Sequence, residues 1–416
     1  MIRIHFISLG CPKNLVDSEK LIGRLLATKR VVVSSFVQSD VVIINTCGFI
    51  APAIKETTRE ITRVLRFANG KKVYVLGCAV NRMKQVLSRK FKGVAGWFSL
   101  TQTDELFRTI TNRKNIPDTR ILSTSGFSYL KIADGCSNHC SYCTIPMIKG
   151  EYKSVEFNEL INEARELAKL GIREIILIAQ DTTRYGLDLY KRVMFVPLIR
   201  EISKIPDIEW IRIMYAHPKG MTDEIISEIA NNPKVCKYLD LPIQHINDRI
   251  LERMNRGISR LEIESLIKRL KSIKNMVLRT TVMVGFPGET DQEFYELKEF
   301  LKESYFDWFG VFSYSCEPET AAASLKQLPK EVIRRRYKEI VKIQRRLVSS
   351  HLKRYIGGIY KTLVHSKNGN YLGHTEFLAP EIDPQIVINN SKLICGKFYT
   401  FRIEGLQGSD LCADLC

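Results

Sequence analysis

Three short runs of mainly β-branched, aliphatic and aromatic residues open the chain, and a cysteine follows each run within three residues. The runs and their cysteines are Arg3–Leu9 with Cys11, Val41–Ile44 with Cys47, and Val73–Leu76 with Cys78. Continuous apolar runs of this kind are typical of strands buried on both faces of a parallel sheet. Apolar residues at helical spacing lie between them, for example in Ser18–Ala27. The pattern predicts a βαβαβ unit and an open parallel α/β domain over residues 1–122.

Residues 128–349 alternate strand and helix patterns in the same way. Six apolar runs predict strands at Tyr129–Ala133, Glu174–Ala179, Trp210–Met214, Tyr238–Leu241, Leu278–Val284 and Gly310–Tyr314. Helical periodicity falls between these runs, as in Phe157–Leu170, whose apolar residues share one face. Another helix is predicted to begin at Thr290, which forms a capping box with Glu293. Six βα units predict a partial (β/α)6 barrel with its ligand site at the carboxyl ends of the strands.

Residues 350–416 change to short strands separated by turns that contain Gly and Asn. Predicted strands include Tyr360–His365, Ile386–Asn389 and Lys397–Ile403, and a long basic helix, Glu331–Leu352, precedes them. This pattern predicts a small five-stranded barrel of the OB type. The fold class is therefore α/β, with an open parallel sheet, a partial barrel and a small β-barrel in that order.

The net charge and the cysteine content limit the kinds of function that the chain could have. The chain has 416 residues with a net charge of +18, and residues 1–127 carry 21 basic and 8 acidic side chains, which is +13 of that total. A basic first domain favours an anionic partner such as RNA, although a generally lysine-rich surface is an alternative. No apolar run is long enough to span a bilayer and no secretory signal is visible, so we expect a cytoplasmic protein without a membrane partner. Its eleven cysteines would then be thiols, available to metals.

One loop holds three of these cysteines, Cys136, Cys140 and Cys143. Such spacing lets three thiolates reach three irons of a [4Fe–4S] cluster, and no local cysteine is left for the fourth iron. An open metal position is a property of catalytic sites. A zinc knuckle and three packing cysteines are the alternatives. Zinc would need a fourth ligand, for which His139 inside the loop is the nearby candidate.

The strand-end cysteines form the second set. Carboxyl ends of parallel strands meet at one edge of a sheet, so Cys11, Cys47 and Cys78 are expected to converge there. A single cysteine at a strand end is usually a small buried apolar residue. Three of them at equivalent strand ends favour a second iron–sulfur cluster, again with an open iron. Glycines before Cys11 and Cys78 would let the backbone approach it closely.

The cysteine loop, with aromatic Tyr142 before its third cysteine, resembles the signature of the radical S-adenosylmethionine (SAM) enzymes. The resemblance implies that the open iron binds SAM, and that an electron from the cluster releases a 5′-deoxyadenosyl radical. It also implies that Tyr142 lies near the adenine. Family members bind SAM with strand-end residues of the barrel, which makes Gln180, Arg279 and Gly285 the expected further contacts.

The stretches SLGCPKNLVDSE, NTCGFI and LGC are similar to the amino-terminal domain of the methylthiotransferases, a branch of the radical SAM family. The stretches IAQDTTRYG, MYAHP, LDLPIQHINDRILERMNR and VMVGFPGET resemble the RimO type in particular, and residues 350–416 resemble the TRAM module. In this branch the second cluster, here at Cys11, Cys47 and Cys78, carries the sulfur that is methylated and transferred.

This resemblance implies methylthiolation of the β-carbon of an aspartate in small-subunit ribosomal protein uS12, with two [4Fe–4S] clusters and two SAM molecules per turnover. The partners would be uS12, free or in the small ribosomal subunit, an electron donor, and RNA at the basic amino-terminal domain. Two alternatives stay open. One is a tRNA adenosine methylthiotransferase of the MiaB type, and the other is a non-catalytic metal-containing RNA-binding protein.

Overall fold

The computed structural model describes residues 1–303, 305–367, 369–388 and 392–416. The chain divides into two compact units. The amino-terminal unit consists of Met1–Ser123, Gly135–Ser137 and Cys143–Tyr152, and the carboxy-terminal unit consists of Thr124–Asp134, Asn138–Tyr142 and Lys153–Cys416. The predicted division into three domains, at residues 122–128 and 349–350, stays a prediction.

The amino-terminal unit is built on a parallel five-stranded sheet, as the apolar runs predict. Its strands are β1 (Ile2–Ser8), β2 (Val31–Val33), β3 (Val41–Thr46), β4 (Lys72–Gly77) and β5 (Gly96–Phe98), and their order is β2-β1-β3-β4-β5. The helices are α1 (Pro12–Ala27), α2 (Ala51–Arg66), α3 (Cys78–Lys90) and α4 (Thr103–Thr111). The short edge strands β2 and β5 were not predicted.

Both faces of this sheet are covered, which explains the continuous apolar runs. Val41 and Ile43 of β3 pack in a core with Leu25 of α1 and residues of α4. Val42 and Ile44 pack in a second core on the other face, with residues of α2 and α3. Burial on both faces therefore fixes β3 as the central strand, whose carboxyl end leads to Cys47.

The carboxy-terminal unit contains a second parallel sheet, of six strands, and a small hairpin that follows its first strand. After β6 (Phe127–Lys131), the chain forms β7 (Ala133–Asp134), which pairs antiparallel with β8 (Lys153–Ser154). The other five strands are β9 (Glu174–Ile178), β10 (Trp210–Ile213), β11 (Val235–Asp240), β12 (Val277–Val284) and β13 (Trp308–Ser313). The order β6-β9-β10-β11-β12-β13 is that of an open (β/α)6 sheet, as predicted.

Helices connect these strands. They are α5 (Ile145–Lys149, in the amino-terminal unit), α6 (Phe157–Lys169), α7 (Leu187–Tyr190), α8 (Phe195–Ser203), α9 (Asp223–Asn231), α10 (Asp248–Arg253), α11 (Arg260–Lys271), α12 (Asp291–Lys302) and α13 (Lys330–Lys353). The predicted helices at Phe157–Leu170, from Thr290 and at Glu331–Leu352 correspond to α6, α12 and α13. The predicted capping box of Thr290 with Glu293 is present at the start of α12. Helix α13 contacts β12 and β13 of the sheet.

The chain ends in a closed five-stranded barrel, again as predicted. Its strands are β14 (Ile359–Lys367), β15 (Asn370–His374), β16 (Ile386–Ile388), β17 (Phe398–Gln407) and β18 (Asp410–Leu415), in the order β14-β15-β16-β18-β17. Asn389, the last residue of one predicted strand, lies outside the described residues. In the part of the chain that the structure describes, no helix has the length and apolar character needed to cross a bilayer.

The connection from β15 to β16, residues 374–385, closes the amino end of the six-stranded sheet. The Arg212 guanidinium on β10 donates to the carbonyls of Thr375 and Glu376 at 3.0 and 2.8 Å. At the other end of the segment, Tyr238 on β11 donates its hydroxyl to Asp383 at 2.6 Å. We call residues 374–385 the plug. His374 of the plug also bonds to Glu174, the first residue of β9, so the plug packs at the amino end of this sheet.

Candidate active site

The amino-terminal unit brings the three strand-end cysteine segments together. A methyl group placed on Gly10 would lie 2.9 Å from Cβ and 3.2 Å from Sγ of Cys47, and one on Gly48 would lie 2.7 Å from the backbone of Ala79. Gly10 has a φ of +95°, a conformation that side chains rarely adopt. Glycine is therefore required before Cys11 both for its backbone geometry and for the close approach to Cys47.

Two of these cysteines lie at the start of a helix. Cys11 is the N-cap residue of α1 and Cys78 is the first residue of α3, while Cys47 lies four residues before α2 begins. Helix amino termini present unpaired N–H groups and a partial positive charge, which stabilise an anionic group. Burial raises the pKa of the Cys47 thiol, and nearby Cys11 adds to this effect. An iron ligand at this position would supply the charge that keeps the sulfur deprotonated.

Asn14 connects the three segments. This side chain is 1% exposed, and its Nδ2 donates to the carbonyls of Leu9 and Thr46 at 3.0 and 3.1 Å. Its Oδ1 accepts a weak hydrogen bond from Cys78 Sγ at 3.6 Å. Asn14 thus holds the ends of β1 and β3 and the thiol at the start of α3 in one geometry.

The hairpin of β7 and β8 closes the base of the second cysteine loop. Within the loop, the Cys136 amide donates to the Gly150 carbonyl at 3.1 Å. Gly135 has a φ of +73°, and a methyl group there would lie 2.0 Å from the Glu151 carbonyl oxygen. The return strand therefore packs directly on Gly135 and fixes where Cys136 leaves the hairpin.

The middle of the loop is held by the segment that follows α10. Ser141 donates its amide to the Met254 carbonyl at 3.0 Å and its hydroxyl to the Arg253 carbonyl at 2.7 Å. Asn255 Nδ2 donates to the His139 carbonyl at 2.9 Å. These three bonds fix the backbone on both sides of Cys140.

The loop after β9 provides a second support. Asn138 donates Nδ2 to Asp181 at 2.8 Å and accepts from Arg184 at 3.2 Å. Asp181 is 1% exposed and also accepts from the amide and hydroxyl of Thr183. The stretch IAQDTTRYG therefore has a physical role, because it anchors the cysteine loop to the carboxyl end of β9.

The end of the loop belongs to the amino-terminal unit. Thr144, directly after Cys143, donates its hydroxyl to the Phe49 carbonyl at 2.7 Å. Asn81 of α3 donates to the Ile148 carbonyl of α5 at 2.7 Å. Since Phe49 is two residues from Cys47, the third cysteine of the loop is joined through hydrogen-bonded backbone to the strand-end set.

Two of the predicted SAM contacts lie in surroundings suited to a cofactor. Tyr142 packs against the apolar cluster of Ile250, Met254, Phe286, Tyr314 and Ala322. Gln180 is the second residue after β9, and both its amide oxygen and its amide nitrogen are buried without a partner among the described residues. A buried amide without partners is costly, and a bound polar ligand would remove that cost.

The other two predicted contacts have partners within the protein. Arg279 donates to Asp240 at 3.0 Å and pairs with Asp383 of the plug at 3.4 Å. It is the third residue of β12, about 17 Å from the carboxyl end of that strand. The Gly285 amide donates to Glu289 at 2.6 Å, and a methyl group on Gly285 would lie 2.7 Å from Ile333. SAM contact by either residue stays a prediction, and the structure gives both of them structural roles.

Three family models match this chain. They are the Radical SAM superfamily over residues 130–301, the uncharacterized protein family UPF0004 over residues 3–99, and the TRAM domain over residues 356–416. Their order along the chain agrees with the two sheets and the small barrel. The Radical SAM match includes all three loop cysteines, and the UPF0004 match includes the three strand-end cysteines.

Curated relatives match over nearly the full length. Ribosomal protein uS12 methylthiotransferase RimO from Alkaliphilus oremlandii is 39% identical over 433 residues, which cover 100% of this chain and 99% of the relative. The RimO proteins of Caldanaerobacter subterraneus subsp. tengcongensis and Aquifex aeolicus are 42% and 39% identical, with coverage of 99% of this chain and 99% and 96% of their own. The chain belongs to the RimO family. It is thus a radical SAM methylthiotransferase, a sulfur-group transferase, whose cofactors include SAM and a [4Fe–4S] cluster.

Solved structures agree on the fold of this RimO-family chain. The radical SAM methyltransferase TsrM from Kitasatospora setae, with cobalamin and a [4Fe–4S] cluster bound, superposes with a TM-score of 0.57 at 16% identity, covering 77% of each chain. The cobalamin-dependent radical enzyme OxsB superposes with a TM-score of 0.51 at 9% identity, covering 83% of this chain and 56% of OxsB. At these identities the likeness concerns the fold alone.

The donor chemistry of this RimO-family chain fits iron–sulfur clusters. Six thiols in two sets of three are soft ligands of the type that iron–sulfur clusters require. Within the described residues, no three His, Cys, Asp or Glu side chains are grouped so as to share a single metal ion. The predicted clusters would instead bind each thiolate to a different iron. The assignment of individual residues to clusters and to SAM stays a proposal.

Sequence reasoning did not single out several residues that hold this site. Asn14, Asn138 and Arg256 are the main ones. Asn14 and Asn138 lie within the cysteine motifs, three residues after Cys11 and two after Cys136. A polar side chain inside a cysteine motif was a signal by which both residues could have been identified. Arg256 is 116 residues from the thiol that it contacts, Cys140. Only the fold brings that pair together.

Proposed function

We propose that this chain methylthiolates the β-carbon of an aspartate in ribosomal protein uS12, using two [4Fe–4S] clusters and two SAM molecules per turnover. The observation that carries the proposal is the pair of three-cysteine sets, together with the hydrogen bond from Thr144 to Phe49 that joins their segments. The substrate is inferred from the names of the relatives, which are uS12 methylthiotransferases.

The radical SAM cluster would be held by Cys136, Cys140 and Cys143. When bound, this cluster and SAM supply a radical able to remove hydrogen from an unactivated carbon. The protein holds the loop rigid through α10 and the β9 loop, so that the reacting groups keep one distance and orientation. Tyr142 provides an apolar surface for the adenine, and the Gln180 amide provides unused donors and acceptors for polar groups of SAM.

The auxiliary cluster would be held by Cys11, Cys47 and Cys78. Its role is to carry the sulfur that is methylated and transferred. Asn14 fixes the spacing of the three segments, and the amino termini of α1 and α3 stabilise negative charge on the sulfurs. A short path between sulfur donor and radical source is needed because a carbon radical must be captured before it reacts elsewhere.

Single cysteine variants separate the two proposed clusters. Cys140→Ala should abolish formation of 5′-deoxyadenosine from SAM, because the loop loses one iron ligand. Cys47→Ala should still form 5′-deoxyadenosine but should leave uS12 unmodified. Cys236→Ala is a matched control, since this buried thiol lies in strand β11 outside both sets. Equal 5′-deoxyadenosine formation by wild type and Cys140→Ala would overturn the assignment of the loop.

The proposed setting is the cytoplasm, with uS12 either free or in the small ribosomal subunit and with an electron donor of unspecified identity. Residues 1–127, with their charge of +13, would contact ribosomal RNA when the substrate is in the subunit. The same charge favours the second candidate substrate, a tRNA adenosine. Modification of tRNA but not of uS12 would select that candidate.

A further inference from the structure

Residues 253–256 support the cysteine loop and also place a cation beside one of its thiols. The segment ends in Arg256, a side chain that is 6% exposed. The guanidinium Nη2 donates to the Pro242 carbonyl at 2.6 Å, and Nη1 lies 3.5 Å from Sγ of Cys140. The first contact fixes the plane of the guanidinium, and the second directs an N–H at the sulfur.

We propose that Arg256 raises the reduction potential of the cluster held by the cysteine loop, by donating an N–H to the Cys140 sulfur and placing a buried positive charge beside it. The inference rests on the proposed function, because it requires a [4Fe–4S] cluster on Cys136, Cys140 and Cys143. Reduction adds one negative charge to the cluster. A neighbouring cation and an N–H bond to a ligand sulfur both favour the state with more negative charge.

Burial of Arg256 strengthens this effect, and the Asp181 carboxylate, whose charge also acts on Arg256, opposes it in part. Burial excludes water, so the charge is poorly screened. The Nε–H of Arg256 is also buried and has no partner among the described residues, which leaves it available to a further acceptor such as a cluster sulfide. Burial, together with the nearby charges of Arg256, Arg184 and Lys219, lowers the pKa of His217 to about 2. His217 is therefore neutral, and Arg256 is one of several cations in this region.

The position of the guanidinium is set by the same bonds that hold the loop. Asn255 has a left-handed backbone with a φ of 55°, which turns the chain after α10 and lets its side chain reach His139. The Arg256 amide donates to the Leu251 carbonyl at 3.0 Å and closes this turn. The thiol and the cation are thus fixed to one another through a short, hydrogen-bonded segment.

The test is a redox titration of reconstituted full-length protein, monitored by electron paramagnetic resonance (EPR). The signal of the radical SAM cluster is recognised because added SAM perturbs it. In Arg256→Gln, the ratio of reduced to oxidised cluster at a fixed potential should fall about tenfold, a shift of about 59 mV to more negative values. Arg256→Lys keeps the charge but cannot hold both Pro242 and Cys140, so a smaller shift in the same direction is expected.

Arg260→Gln is the matched control, because this arginine pairs with Glu264 at the start of α11 and is 40% exposed. It should keep the wild-type potential. A merely structural role for Arg256 predicts loss of cluster without a change of potential in the molecules that retain it. An unchanged potential in Arg256→Gln would therefore overturn the inference.

A measurement on wild-type protein covers the case in which Arg256→Gln loses its cluster. Protein labelled with ¹⁵N-arginine, studied by pulsed EPR without SAM, should show a ¹⁵N coupling to the reduced cluster. Absence of that coupling would contradict the inference while leaving the proposed function intact. If wild type shows no SAM-sensitive cluster signal, the proposed function itself fails and the inference fails with it.

Discussion

The side-chain amide of Asn14 holds together the three segments that carry Cys11, Cys47 and Cys78. Its side chain bonds to the ends of β1 and β3 and to Cys78, while its own carbonyl accepts from Asn45 at 3.0 Å. Every polar atom of the side chain has a partner inside the fold. A substitution would leave the Leu9 and Thr46 carbonyls without this donor in a buried place, at a cost of about 1–3 kcal/mol each.

We expect Asn14→Ala to lose the auxiliary cluster and keep the radical SAM cluster. Iron content after reconstitution should fall from about eight to about four per chain, since each cluster holds four irons. Formation of 5′-deoxyadenosine should persist while uS12 stays unmodified. Lys20→Ala, a helix α1 variant outside the cysteine ends, is the control. Full iron content in Asn14→Ala would show that the three segments hold their geometry without this amide.

At the residue scale, the six cysteines could be selected from the sequence because their spacing and their strand-end positions are local features. Contacts between residues that are far apart in the chain could not be predicted from such local features. Arg279 was expected at SAM because strand-end residues of the barrel bind it in related enzymes. In the structure it lies near the amino end of β12, where Asp240 and Asp383 neutralise its charge. The predicted strand Leu278–Val284 already places Arg279 near its amino end, so the expectation of a SAM contact came from the family resemblance and not from the strand pattern.

At the scale of elements, helix α5 is the link between the two cysteine sets. It begins after Thr144, whose hydroxyl bonds to Phe49, and it ends near Ile148, which accepts from Asn81. Both partners belong to the segments after Cys47 and Cys78. The short helix therefore links the residue after Cys143 to the segments after Cys47 and Cys78.

We expect Thr144→Val to uncouple SAM cleavage from methylthio transfer to uS12. Valine keeps the shape of threonine but cannot bond to the Phe49 carbonyl, so the separation of the clusters would become less well defined. SAM cleavage should continue, but each methylthio group on uS12 should require several times more 5′-deoxyadenosine than in wild type. Thr144→Ser, which keeps the hydroxyl, should behave as wild type. Tight coupling in Thr144→Val would show that the bond is dispensable.

The plug is the other element whose role the sequence did not reveal. Glu174 at the start of β9 lies between Arg212, at 2.6 Å, and His374 of the plug, at 2.5 Å, and all three side chains are fully buried. Burial opposes ionisation of Glu174, but the charges of Arg212 and His374 outweigh it and hold its pKa at about 2, below the ordinary 4.5. The stabilisation from this carboxylate is therefore present above pH 4.5 and is lost as the pH falls towards 2.

We expect Glu174→Gln to destabilise the protein at neutral pH by about 3–5 kcal/mol, because it leaves the buried Arg212 charge unpaired. The difference from wild type should shrink as the pH is lowered from 6 to 3, as urea unfolding curves would show. Glu209→Gln breaks the exposed pair with Lys361 and should have little effect at either pH. A difference that does not depend on pH would indicate that Glu174 is already protonated at pH 6.

The sequence was sufficient to predict most of the strands. Runs such as Val41–Ile44 and Glu174–Ala179 predicted strands β3 and β9 because strands buried on both faces carry nearly continuous apolar side chains. Strands β2 and β5 have only three residues each, too few for a periodic signal. The plug had no signal of its own, because its contacts join residues that are far apart in the chain, such as Tyr238 and Asp383.

At the scale of the whole molecule, the order of the domains and the distribution of charge bear on the choice of substrate. The sheet proposed to donate sulfur, the radical SAM barrel and a small β-barrel follow one another, and most of the net charge of +18 belongs to residues 1–127. The final 67 residues carry 7 basic and 6 acidic side chains. A barrel that binds RNA backbone would be expected to be more basic, which favours a protein substrate at this end of the chain.

The measurement that tests the central claim most directly is mass spectrometry of uS12 and of bulk tRNA. Each would be incubated anaerobically with the reconstituted protein, SAM and a reductant. The account predicts a methylthio increment on a uS12 aspartate, absent with Cys140→Ala and with Cys47→Ala, and no increment on tRNA. A methylthio group on a tRNA adenosine, with uS12 unmodified, would contradict it.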